Sequence, residues 1–224
     1  MVTPYDWQEA ISHRAGYIES RLSGGAPVIA ISHNDGIVVV TVRRQAQKIY
    51  EIYDRLVFAG LGQQSDVEQL RVTAIDFAHQ EGFQRSEEDV SIQRVVMALS
   101  QPMKRAFGDF NSAPFVARSL FAEVGSTPDK DKFFLLDYDG DYSIRGGWAL
   151  LHGGRALQPE IIDRMQSAAK PNGKVEAVVK SLQDVWATLV SEGEKTFAEL
   201  TENLQPETVL MMRTGFETNR FRVL

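Results

Sequence analysis

Apolar residues recur along this chain in two periods, one helical and one extended, and the blocks in which they alternate predict its architecture. Trp7, Ile11, Ala15, Ile18 and Leu22 fall three or four apart, after a Thr3-Pro4 start suited to a first helical turn and before Gly24-Gly25. This predicts an N-terminal amphipathic helix whose stripe reads as core. β-Branched runs at 27–33 and 37–43 flank Asn34-Asp35-Gly36, a strong hairpin signal, and 49–53 with 56–60 reads as a second strand pair. Val67, Leu70, Ala74, Ile75 and Ala78 share one face of a predicted helix over 65–80, with Asp66 placed to suit its dipole. A further helix is expected to open at Ser86, where S-E-E-D resembles a capping sequence, and to run towards Phe107 with a kink or restart at Pro102.

Strands are predicted at 113–124, 132–137, 142–145 and 148–152, helices at 160–169 and 175–189, and closing strands at 207–212 and 220–223. The order of blocks is helix, strands, two helices, strands, two helices, strands. Such blocks predict an α+β fold with sheets in the middle and helices outside, not a repeated βαβ unit. The stretch 170–174 is the best loop and does not divide the chain, so residues 1–224 read as one domain.

Composition removes several classes of function. With 24 basic against 30 acidic residues the formal charge is −6, which disfavours nucleic acid and anionic membranes as partners. The absence of cysteine excludes disulfide scaffolds, Cys-metal sites and thiol catalysis. No stretch approaches the ~18 apolar residues of a membrane span, and MVTPYDWQEA lacks the basic-then-apolar pattern of a signal peptide, so the expected location is cytoplasmic. Asp137, Asp139 and Asp141 resemble a calcium loop, but the glycine comes fourth and Trp148 stands where the closing Glu belongs. His13, His33, His79 and His152 lack metal-ligand spacing, and Gly60-Leu61-Gly62 is too short for a phosphate loop. No metal or cofactor is therefore expected.

A family resemblance spans nearly the whole chain. The hairpin APVIAISHNDGIVVVTVRR, the run QKIYEIYDR followed by FAGLG, the E-x-L-R of Glu68 to Arg71, the turn LDYDG, the His152-Gly153-Gly154 turn and a terminal NRFR resemble proteasome subunits, and bacterial α subunits in particular. The resemblance implies a four-layer αββα sandwich of the N-terminal-nucleophile-hydrolase type over 26–224, preceded by a ring-forming helix over 3–23. It implies a homo-oligomeric ring of seven that caps a β-subunit ring, restricts entry of folded proteins to its chamber and docks a ring-shaped AAA ATPase for protein degradation. Catalytic β subunits begin this hairpin with a nucleophilic threonine and carry an orienting aspartate in its second strand; the matching positions here hold Ala26 and Val42. The resemblance thus implies a subunit with no catalytic residue of its own.

Residue by residue, Lys48 matches the α-subunit lysine that receives the C-terminal carboxylate of an activator tail, and Gly25 and Gly62 match small residues lining that pocket, where a missing Cβ would let a peptide backbone approach. Two positions depart from the pattern: Gly16 replaces a carboxylate, and Gln63 replaces an apolar wall. Thr3, Pro4, Tyr5 and Asp6 match the gate; Tyr5-Asp6-Trp7 lacks the Arg of the Tyr-Asp-Arg motif, and the expectation is a short tail and a leaky gate, with Tyr5 and Asp6 in the first helical turn. Two alternatives stand beside this reading. One is a non-catalytic paralogue forming rings without a β partner. The other is an autonomous hydrolase that exposes Thr3 or Ser23 by processing, although Thr3 lies far upstream of the first strand and Ser23 three residues from Ala26.

Overall fold

The computed structural model describes residues 4–154, 156–169, 172–217 and 219–224. Its elements run α1 (Pro4–Leu22), β1 (Val28–His33), β2 (Gly36–Arg43), β3 (Ile49–Tyr53), β4 (Leu56–Gly62), α2 (Gln64–Gln84), α3 (Ile92–Gly108), β5 (Ala117–Glu123), β6 (Lys132–Leu136), β7 (Tyr142–Arg145), β8 (Trp148–Leu151), α4 (Pro159–Ala168), α5 (Val175–Ser191), α6 (Phe197–Leu200), β9 (Gln205–Met212) and β10 (Phe221–Val223). One sheet has the order β10-β9-β2-β1-β8 and the other β3-β4-β5-β6-β7. Every pairing is antiparallel.

The two-residue side-chain period of the strands splits the core into layers. In β1, Val28 and Ala30 join β2's Ile37 and Val39 between the sheets, against Val57, Ala59, Leu120 and Ala122 of the other sheet. Ile29 and Ile31, on the opposite face, pack with Val38 and Val40 under α4 and α5, where Met165, Leu182 and Trp186 meet them. Phe58 and Phe121 point the other way, into α2 and α3. Strands covered on both faces are buried along nearly their whole length, which is why 28–31 of β1 and 56–61 of β4 read as continuous hydrophobic runs. The result is the four-layer αββα sandwich that the block order and the resemblance lead one to expect.

Several boundaries differ from expectation. Glu87–Asp89 is a single 3₁₀ turn, and α3 begins at Ile92, whose backbone N–H is taken by the buried carboxylate of Glu123. A contact from the neighbouring sheet, absent from the local sequence, sets that helix start. The helix then runs through Pro102 without ending, because the proline lies on the exposed side. Strand β5 starts at Ala117, not at 113. The short α6 was not anticipated, although its Thr196 and Glu199 form a reciprocal capping box that the T-x-x-E spacing announces. Only the C-terminal half of α1 is core: Ile18 and Leu22 are fully buried, while Trp7 is 48% exposed and touches Phe110 edge-on. Arg14 holds the same segment by donating to the carbonyls of Ala106 and Ser112.

Candidate functional site

The start of β1 is held by three donors that arrive from different layers. Trp186 Nε1 of α5 donates to Pro27 O at 3.0 Å, and the Thr41 hydroxyl of β2 donates to the same oxygen at 2.7 Å. Lys48, immediately before β3, places its Nζ on the carbonyl of Ala26 and 3.4 Å from Thr41 Oγ1. Its main chain is fixed by Glu207 of β9, whose carboxylate accepts the N–H groups of Lys48 and Ile49, each at 3.0 Å. An ammonium so placed is taken largely out of water, and burial lowers the Lys48 pKa to about 8, with Glu207 opposing that shift.

Around Lys48 opens a cavity of about 780 Å³, which Gly25 and Gly62 also line. The fold therefore brings the three predicted pocket residues together, from the α1–β1 link, the β2–β3 link and the end of β4. Apolar walls come from Leu61, Val67, Trp186 and Leu204, and the rim carries Arg43 and Arg44. Of these, only Lys48 and the two glycines were marked in advance. Trp186 of α5 and Leu204 before β9 have no local signal, since both lie far away along the chain.

The two glycines are also closely packed within the fold. A Cβ on Gly25 would meet Leu61 Cγ at 2.7 Å, and one on Gly62 would meet Val116 O at 2.1 Å. Leu61 is itself a wall of the cavity, whereas Val116 is not among the residues that line it. Gly62 also has φ +138°, open to glycine and strained for other residues. Gly62→Ala is therefore expected to destabilise the chain by about 1–3 kcal/mol; thermal unfolding of the purified variant checks this, and an unchanged midpoint would refute it.

The position just before β1 is the one that the resemblance assigns to a nucleophile in catalytic subunits. Ala26 occupies that position, and Val42 is buried with Ile29, Val40 and Trp186 on the helix-facing side of β2. Ser23 lies beyond the end of α1 and donates its hydroxyl to Ser20 O. Gly16 faces open space on α1, and Gln63 is exposed and donates to Ser65 Oγ; neither lines the cavity. Of the gate residues, Thr3 lies outside the described residues, Pro4 opens α1, and Tyr5 and Asp6 fall in its first turn.

The cavity's far side is formed by the turn His152-Gly153-Gly154, gripped by one arginine. Arg118 Nη1 faces the carbonyls of all three residues at 2.9–3.1 Å, while its Nε donates to Asp137 Oδ1 at 2.8 Å. Burial, and then Arg118, lowers the His152 pKa, so its imidazole is neutral near pH 7 and its Nδ1 accepts the Gly154 N–H. Asp137 thus answers an arginine. Among the described residues no group of His, Asp or Glu side chains could hold a metal ion, and no helix is long and apolar enough to cross a membrane.

A two-sheet sandwich flanked by helices, with a cavity at the head of its first strand, defines an N-terminal-nucleophile-hydrolase type of fold. The family model for proteasome subunits matches residues 22–198. The chain is 32% identical over 162 residues to the proteasome subunit alpha of Kineococcus radiotolerans, covering 70% of this chain and 68% of that one. It is 30% identical over 162 residues to the proteasome subunit alpha of Acidothermus cellulolyticus, covering 70% and 69%. With that of Thermomonospora curvata it shares 27% over 180 residues, covering 79% and 77%. The chain belongs to the proteasome subunit family.

Proposed function

We propose that this chain is a non-catalytic α-type subunit of a proteasome core particle: it forms a homo-oligomeric ring on a ring of β subunits and takes the C-terminal tail of a ring-shaped ATPase in the cavity around Lys48. The observation that carries the reading is the replacement of a nucleophile by Ala26, whose carbonyl the Lys48 ammonium holds. An ammonium has three donors, and the one not used on Ala26 and Thr41 remains for a carboxylate entering from the cavity. The pocket's apolar walls would take the side chains that precede that carboxylate. Thr3, Pro4, Tyr5 and Asp6 are proposed to lie at the pore as gate residues.

Co-expression with the β-type subunit of the same organism, followed by mass determination of the assembled particle, tests the assignment. The expected result is a mixed particle whose peptidase activity is abolished by substitution of the β nucleophile and unaffected by Ser23→Ala in this chain. A ring of this chain alone, or activity that depends on Ser23, would overturn it.

A further inference from the structure

The charged groups that line the cavity are all of one sign. Arg43, Arg44 and Lys48 reach it, and among the described residues no Asp or Glu side chain does, although acidic residues outnumber basic ones 30 to 24 in the chain. Glu207, the nearby carboxylate, sits beneath Lys48 and is taken up by two backbone N–H groups, with Arg43 Nε at 3.9 Å. Arg43 is further committed through Nη1, which donates to Gln45 O at 3.1 Å. Arg44 differs: it is exposed at the rim and has no hydrogen bond or ion pair with any described residue. A cationic rim on a molecule of net charge −6 is a local feature set against the overall field. It would favour a ligand of complementary charge.

We propose that the cavity prefers a peptide C-terminus bearing an acidic side chain in addition to its terminal carboxylate, with Arg44 receiving the second anion. This deepens the docking role given to Lys48 and rests on it. The ligand chemistry has three parts: a free carboxylate for Lys48, apolar side chains against Leu61, Val67 and Trp186, and a Glu or Asp at the rim. Arg44 is the specificity-determining residue. Its planar guanidinium can engage a carboxylate through two parallel N–H groups, which the lysine below it cannot do.

The test measures fluorescence anisotropy of labelled peptides on the assembled full-length chain. The peptides are a neutral one ending in Leu-Ala-Leu with a free carboxylate, its C-terminal amide, and versions with Glu or Gln scanned through the positions before the last residue. At one position Glu is expected to bind about two- to fivefold tighter than Gln at low ionic strength, the gain shrinking with added salt. Arg44→Ala should abolish the difference between the Glu and Gln peptides. Arg44→Glu should transfer the preference to a peptide with Lys at the same position. If Glu and Gln are equal at every position, or the preference survives Arg44→Ala, the proposal is wrong while the docking role of Lys48 stands. If the amide binds as well as the free acid and Lys48→Ala changes nothing, the docking role itself fails and this proposal falls with it.

Discussion

Replacing Arg213 by Met is expected to destabilise the fold by about 3–5 kcal/mol, because it strands a buried carboxylate. Asp131 has a fully buried side chain, and Arg213 meets it with two parallel contacts, Nη1 to Oδ1 at 2.7 Å and Nη2 to Oδ2 at 2.8 Å. The same guanidinium donates to the carbonyls of His33, Asn34 and Gly125. It therefore fastens the β1–β2 turn and the residues after β9 to the β5–β6 connection, joining the two sheets at the end opposite the cavity. For a chain of this size the loss corresponds to about 6–20 °C in the unfolding midpoint, readable by calorimetry. The double variant Arg213→Met with Asp131→Leu should recover part of the loss, since it removes the unpaired charge as well as the pair. If the double variant is no better than the single one, the cost lies in the carbonyl contacts, not in the stranded carboxylate.

Lys48→Ala should weaken binding of a free-carboxylate peptide by about 10- to 100-fold, the usual cost of losing a charge-assisted hydrogen bond in a partly dry site. The pH dependence separates this from a general loss of structure. Lys48 titrates near pH 8, so the ammonium is present below that value and is lost as pH rises through it. Binding of the native chain should be level below pH 8 and fall by up to about tenfold per unit above it. Lys48→Arg, charged across the whole range, should show no such fall. The linkage to folding has the opposite sense. Burial depresses the native pKa below the ordinary 10.5, so the unfolded chain holds the proton more tightly between pH 8 and 10.5. The stability contributed at this residue therefore rises with pH across that window. A pH-independent affinity in the native chain would remove Lys48 from the carboxylate site.

How much was legible beforehand depended on whether the cause was local. The β1–β2 hairpin was readable because Asn34-Asp35-Gly36 imposes its own turn between β-branched runs, and α2 because its apolar positions repeat on one face. The start of α3 was misplaced because its first free N–H is satisfied by Glu123, 31 residues away. Trp7 was read as core from its spacing, yet the helix that carries it rises off the sandwich, and only Ile18 and Leu22 reach the interior.

The candidate site divides in the same way. Ala26 and Val42 are facts of the sequence, and they alone remove a nucleophile and an acid from the head of the hairpin, because covalent chemistry needs particular atoms. That Gly25, Lys48 and Gly62 share one cavity, that Glu207 anchors the main chain of Lys48, and that Leu61 and Val116 lie close against the two glycines were decided by tertiary structure. Periodicity specifies which face of an element is buried. Which distant carboxylate, carbonyl or indole meets a given ammonium follows only when two sheets and four helices are packed against one another.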